Sequence, residues 1–278
     1  MATCNIGKEI RMGRLFNKKS NRMVLITIDH GICVSPMKEI ANVKNIVREI
    51  VKGGADAVLL TPGIAKIVHE ELVSTNTSLM MRIDGTATSI GPDLTNDELI
   101  YSVEGALQLG ADAVATFGVI GVQREAQLSH KIGETAEKCD RLGIPMMVEM
   151  IPNEMLKHQF ENKANRKWPS NSELVKFSAR VAAELGADIV KGYYTGNPKS
   201  FKEVIEYCPV PYVVLSGPAS NDLKVFLKFI KDAIECGCGG VSVGRNVWTY
   251  KNPAAITRAI CKIVHENASI EEALKEIK

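Results

Sequence analysis

Lys191 closes the run Ala187-Asp188-Ile189-Val190-Lys191, which sets a primary amine at the end of a β-branched stretch, just before Gly192-Tyr193-Tyr194-Thr195-Gly196. An exposed lysine is protonated at neutral pH and is a poor nucleophile. An amine held among apolar strand neighbours gives up its proton more readily and can attack a carbonyl to form a Schiff base. The same position also suits a lysine reaching from a strand end into water. Other residues of chemical interest stand at comparable places: Asp29-His30-Gly31, Asp84-Gly85-Thr86, Glu149, Ser216-Gly217-Pro218 and Gly244-Arg245-Asn246. Carboxylates beside an imine can shuttle protons, and small residues next to an arginine can cradle an anion.

The elements that must position these groups repeat along the chain. A helical segment, a Gly-Ala-Asp type turn and a short β-branched run recur at Gly53 to Leu60, Gly110 to Phe117 and Gly186 to Lys191, with a looser copy at Cys236 to Gly244. Four more runs, Met23 to Asp29, Leu79 to Asp84, Met146 to Ile151 and Tyr212 to Leu215, bring the expected strands to eight. Ile40 to Lys52, Leu174 to Leu185 and Leu223 to Cys236 carry helical periodicity, and Thr95-Asn96-Asp97-Glu98 resembles a capping box opening a helix before Gly110. Strict alternation of strand and helix implies a parallel sheet, and eight units imply an α/β fold closed into a (β/α)8 TIM barrel. Ile6 to Phe16 reads as an extra N-terminal helix covering one end. The polar stretch Asn153 to Ser172, with Trp168-Pro169, reads as a lid or subunit contact. No domain boundary is evident across residues 1–278.

Composition narrows the partners. The 278 residues are 45% hydrophobic with a formal charge of +2 and no basic stripe, which argues against nucleic acid. No segment has the length of a membrane span, and the start lacks a signal-peptide core, so a cytoplasmic location is expected. Seven scattered cysteines read as reduced thiols. No cofactor is called for, and no metal: His30 is the only histidine at a strand end, whereas His69, His130, His158 and His265 fall in helices or loops.

In such a barrel, chemistry belongs to the C-terminal ends of the strands. Asp29 there is an acid/base partner for the amine or a helix cap. His30 and Gly31 are substrate contacts, or His30 is a packed imidazole. Asp84 and Glu149 are rim carboxylates that either act directly or pair with Lys191 or Arg82. Ser216, Gly217, Gly244 and Arg245, at the seventh and eighth strand ends, fit a phosphate cradle.

At these residues the sequence resembles the archaeal-type class I fructose-bisphosphate aldolases and their relatives. Those include 2-amino-3,7-dideoxy-D-threo-hept-6-ulosonate synthase and a thiolase acting on phosphorylated autoinducer-2. The likeness runs from Asp29-His30-Gly31 to Val264-His265-Glu266. It is most specific at Gly186 to Lys191 with Tyr194-Thr195-Gly196, at Cys208-Pro209-Val210-Pro211 and at Val243-Gly244-Arg245-Asn246. The resemblance implies Lys191 as the Schiff-base lysine, Asp29 as an acid/base residue and Ser216, Gly217, Gly244 and Arg245 as the phosphate site, in a homo-oligomer that is commonly a decamer. It departs at Ile151, before Pro152, where the aldolases and the heptulosonate synthase carry a proton-donating tyrosine. Glu149 or Tyr194 is then the candidate replacement. The expected activity is reversible cleavage of a phosphorylated ketose, by default fructose 1,6-bisphosphate to dihydroxyacetone phosphate and glyceraldehyde 3-phosphate. The alternatives are a carbon–carbon transferase and a phosphosugar-binding barrel without catalysis.

Overall fold

The structure is a computed structural model that describes residues 5–34, 37–85, 87–160, 171–216 and 222–277. Eight parallel strands close into a barrel: β1 (Met23–Thr27), β2 (Ala57–Leu60), β3 (Ser78–Arg82), β4 (Ala113–Ile120), β5 (Met146–Pro152), β6 (Ile189–Gly192), β7 (Tyr212–Leu215) and β8 (Gly240–Val243). They pair in chain order, and β8 returns to β1 with Met23 opposite Gly240 and Leu25 opposite Ser242. Ahead of β1 lies α1 (Ile6–Leu15). The principal helices between strands are α2 (Val43–Gly53), α3 (Pro62–Val68), α4 (Val103–Gln108), α5 (Glu125–Leu142), α6 (Asn153–Phe160), α7 (Ser172–Glu184), α8 (Pro198–Tyr207) and α9 (Leu223–Glu235). After β8 come α10 (Arg245–Trp248), α11 (Pro253–Glu266) and α12 (Ile270–Lys275). Among the described residues no helix is long and apolar enough to cross a membrane.

The Gly-Ala-Asp repeat has a physical basis beyond turning the chain. The Asp56 carboxylate accepts the Val24 backbone N–H at 2.6 Å, and Asp188 accepts that of Met146 at 2.8 Å. Each aspartate therefore satisfies a donor near the start of the preceding parallel strand, where a bare barrel end would leave it unpaired.

Strand periodicity divides the barrel interior into two zones. In its lower part, Met23, Leu25, Leu59, Met80, Met147, Ile189 and Val213 form one apolar cluster. Leu15 and Phe16, at the end of α1, belong to the same cluster, so this helix covers the N-terminal end as the sequence implied. One layer higher, the inward positions become Thr27, Arg82, Glu149 and Lys191. Hydrophobic packing holds the lower barrel closed, and the charged side chains stand at the mouth.

One sequence expectation needs correction. Thr95 to Glu98 does not open a helix: α4 starts at Val103, where Ser102 accepts the Gly105 N–H at 3.0 Å. Asp97 is instead drawn inward to the ammonium of Lys131, 3.3 Å away. The proposed lid, 153–172, begins as α6, and its residues 161–170, Trp168-Pro169 among them, lie outside the described residues.

Gly240 marks the seam of the barrel. Its φ is +144°, and a Cβ there would lie 2.1 Å from the Met23 carbonyl oxygen. Gly240→Ala is expected to cost about 3 kcal/mol or more through backbone strain and overpacking. Gly13→Ala in α1, where a Cβ meets nothing within 4 Å, should be neutral or stabilising by up to about 1 kcal/mol. Urea unfolding of the two variants checks the contrast.

Candidate active site

A cavity opens at the C-terminal end of the barrel, lined by Thr27, Asp29, His30, Arg82, Asp84, Asp97, Phe117, Glu149, Lys191, Ser216, Ser242 and Arg245, with Ile32, Cys33, Val34, Gly85, Ala87 and Leu215 filling its sides. The β5–β6 register sets Glu149 directly opposite Lys191. With period-2 alternation, both side chains must face the interior together.

Lys191 is 6% exposed, which excludes a lysine reaching into water. Its surroundings are not the apolar ones that the strand sequence suggested: Nζ donates to Glu149 Oε2 at 2.9 Å. The same carboxylate oxygen accepts from Arg82 Nη2 at 2.5 Å. Arg82 also donates through Nε to Asp29 at 3.0 Å and through Nη1 to Asp84 at 3.4 Å. Asp84 in turn accepts from Lys131 Nζ at 2.8 Å and from the Phe117 N–H at 2.6 Å. Lys131 reaches on to Asp97 at 3.3 Å. Four carboxylates and three cations thus form one connected cluster.

The cluster sets the protonation of its members. Burial works against ionisation of Asp29, but the charges of Arg82 and Lys191 outweigh it and hold the carboxyl below its usual value. Glu149 behaves alike: burial opposes its charge, and Lys191 and Arg82 overcome that and the repulsion from Asp29. Asp97 goes the other way. Burial and the neighbouring Asp84 raise it to about 7, with Lys131 and Arg82 only partly compensating. Burial, reinforced by Arg245 and Lys191, pushes His30 down to about 4 against the pull of Asp29, so its imidazole is neutral at pH 7. The cavity-lining Cys33 is pushed up to about 12, chiefly by burial, and stays a thiol.

The structure brings Lys191, Asp29, Glu149, Asp84, His30, Ser216 and Arg245 to one cavity. His30 stands with Nδ1 3.6 Å from Asp29 and its ring edge-on to Trp248 at 5.5 Å. Gly244 lies behind His30: a Cβ there would sit 2.5 Å from Thr27 Oγ1 and 2.8 Å from His30 Cε1, so its lack of a side chain makes the packing possible. Gly31 is exposed in the turn His30–Ile32 and does not line the cavity. Gly217 lies outside the described residues.

Tyr194 is not brought to the cavity. Its ring packs on Phe201 at 4.9 Å and Phe229 at 5.5 Å, against α8 and α9, where burial pushes its phenol well up. The chain leaves the sheet after Gly192, and an aromatic ring gains more there from the apolar helix layer than from a charged mouth. Arg82 pairs with Asp84 and Glu149 as the sequence allowed, whereas its bond to Asp29 and the places of Lys131, Asp97 and Cys33 were not anticipated. The available signals were an arginine two positions before Asp84 on an inward strand face, and a lysine between Leu128, Ile132 and Thr135 on the buried face of α5.

Residues 23–250 match the family model described as DeoC/LacD family aldolase. Over 281 aligned residues the chain is 36% identical to an uncharacterized aldolase of Saccharolobus solfataricus, covering 98% of this chain and 100% of that one. It is also 36% identical over 270 residues to 2-amino-3,7-dideoxy-D-threo-hept-6-ulosonate synthase 1 of Archaeoglobus fulgidus, covering 97% and 95%. Among solved structures, it is similar to an archaeal fructose-1,6-bisphosphate aldolase with its catalytic lysine covalently bound to the carbinolamine intermediate. The TM-score is 0.79 at 27% identity, covering 92% of this chain and 98% of that one.

Arg82→Met would leave three buried carboxylates without the cation they share, and unfolding free energy is expected to fall by about 3–5 kcal/mol. Because Asp29 and Glu149 titrate lower in the folded protein than in the unfolded chain, their stabilisation is complete above about pH 4 and is lost as pH falls through the folded values. Asp97 has the opposite sign, since its raised value makes stability decline as pH rises from about 4 to 7. Thermal melts across this range should show both limbs in the native protein, with the second flattened in Asp97→Asn.

Proposed function

Because this chain belongs to the DeoC/LacD family of aldolases, we propose that it makes and breaks a carbon–carbon bond of a phosphorylated ketose through an imine on Lys191. The observation that carries this reading is the Lys191–Glu149 contact of 2.9 Å inside a closed barrel. Glu149 is held as a carboxylate beside the ammonium, so it is placed to take the proton that the amine must lose before attack. The neutral amine adds to the keto carbon, and loss of water from the carbinolamine gives a protonated imine. Asp29, ionised under the charges of Arg82 and Lys191, removes the proton from the hydroxyl two carbons from the imine carbon. The C–C bond then breaks, its electron pair enters the imine to give an enamine, and an aldehyde departs. Protonation of the enamine and hydrolysis restore Lys191.

Ser216, Gly244 and Arg245 support phosphate binding at the end of β7 and β8, where backbone approach and a guanidinium favour an anion. Binding energy from that remote group orients the reacting carbons. Fructose 1,6-bisphosphate, named for the solved aldolase, is the first ketose to assay.

A second reading is favoured by one observation. Ile151 occupies β5 two residues after Glu149, and among the described residues lining the cavity there is no tyrosine. The proton chemistry therefore falls to carboxylates. That suits a carbon–carbon transferase, in which an enamine or its equivalent passes to a second acceptor instead of being protonated. The relatives named as heptulosonate synthases, 36% and 31% identical, support a transferase through their sequence likeness and not through the missing tyrosine, which that synthase carries.

Borohydride reduction in the presence of a phosphoketose is expected to add the mass of the reduced sugar at Lys191, and Lys191→Ala should show none. Glu149→Gln, which keeps the shape and loses the charge, should slow imine formation by about 10²–10⁴-fold. An adduct on another lysine, or none on the native protein, would sink the assignment. Release of dihydroxyacetone phosphate together with the matching aldehyde, glyceraldehyde from fructose 1-phosphate or glyceraldehyde 3-phosphate from the bisphosphate, favours the aldolase over the transferase.

A further inference from the structure

The two ends of the cavity carry opposite charge. In a ring of eight strands taken in chain order, β3 lies four strands from β7, and β4 four from β8. The end of β7 and β8 presents Ser216 and Arg245. Across the mouth stand Asp84, just beyond β3, and Asp97, on the segment between β3 and α4. Asp97 is 8% exposed and lines the same cavity, and Asp84 is fully buried behind it. Asp84 is fixed by Arg82, Lys131 and the Phe117 N–H and has no latitude to swing away.

The cations near this wall are already engaged: Arg82 is shared by three carboxylates and Lys131 by two. Asp29, Asp84, Asp97 and Glu149 against Arg82, Lys131 and Lys191 leave one carboxylate in excess once Asp97 is ionised, which its raised value of about 7 places at neutral pH and above. Among the described residues, the rest of the wall is small or apolar, with Ile32, Cys33, Gly85 and Ala87. A phosphate dianion arriving here would meet like charge in a poorly hydrated site. Sugar hydroxyls would find carboxylate acceptors.

We propose that Asp97, backed by Asp84, is the specificity-determining wall of this cavity: it selects a ketose carrying a single phosphate, held at the β7–β8 end, and rejects a second phosphate at the opposite end. The inference rests on the phosphate end assigned under the proposed function and narrows the substrate class of that site. The hydroxyl-bearing end of a monophosphorylated sugar lies against Asp97, and a bisphosphate of the same length does not fit electrostatically.

Calorimetric titration of the native protein with fructose 1-phosphate and with fructose 1,6-bisphosphate reads the preference directly. The monophosphate is expected to bind at least about tenfold more tightly, and Asp97→Asn should narrow that gap by about threefold or more, by tightening the bisphosphate. A packing role for Asp97 would weaken both ligands together and leave their ratio unmoved. Equal or tighter binding of the bisphosphate by the native protein, no binding of either sugar, or an unchanged ratio in a folded Asp97→Asn overturns the proposal. Borohydride trapping in the same solutions reports the imine separately. An adduct on Lys191 with a ratio that fails removes only this inference, and a ratio that holds without an adduct removes only the Schiff-base reading.

Discussion

Arg82 spends all three guanidinium nitrogens on three different carboxylates, and the barrel mouth depends on that arrangement. Burying Asp29, Asp84 and Glu149 together is prohibitive without a cation between them, because each charge loses its water and repels the others. A planar fork suits the task in a way that a point-charge ammonium would not. The consequence is a fixed pair of ionised acids around Lys191, one just beyond β1 and one on β5. Neither has to be recruited when a substrate arrives, so little reorganisation stands between binding and proton transfer.

The cluster also ties the mouth to the outer layer. Lys131 comes from α5, yet it grips Asp84 inside the mouth and Asp97 on the segment after β3. A displacement of that segment is therefore felt at Arg82 through Lys131 and Asp84, and Arg82 is two contacts from Lys191 by way of Glu149. Rigidity of the lower barrel, where methionine, leucine and isoleucine interdigitate, keeps such a displacement from spreading downward.

Much of this was legible in the residues. The Gly-Ala-Asp repeats and β-branched runs located all eight strands, and strand ends picked out Lys191, Asp29, Glu149 and Asp84. What escaped were decisions made by partners far along the chain. Asp97 carries the signature of a helix cap, and a cap and a buried ion pair use the same side chain; only Lys131, 34 residues later, settles which it becomes. Tyr194 was placed by proximity to Lys191, but alternation holds only while a strand lasts, and β6 stops at Gly192. The surroundings of Lys191 were misjudged for a related reason: its strand is apolar, but the neighbour that touches its nitrogen is contributed by β5.

The short helix that caps the barrel floor has a bearing on which reaction prevails. With Leu15 and Phe16 filling the N-terminal end, the open face serves arrivals and departures alike. On the proposed mechanism, a released aldehyde must clear the doorway before water or a new acceptor can reach the enamine left behind. The partition between hydrolytic turnover and transfer then becomes a matter of traffic: whichever molecule is next in the queue decides the product.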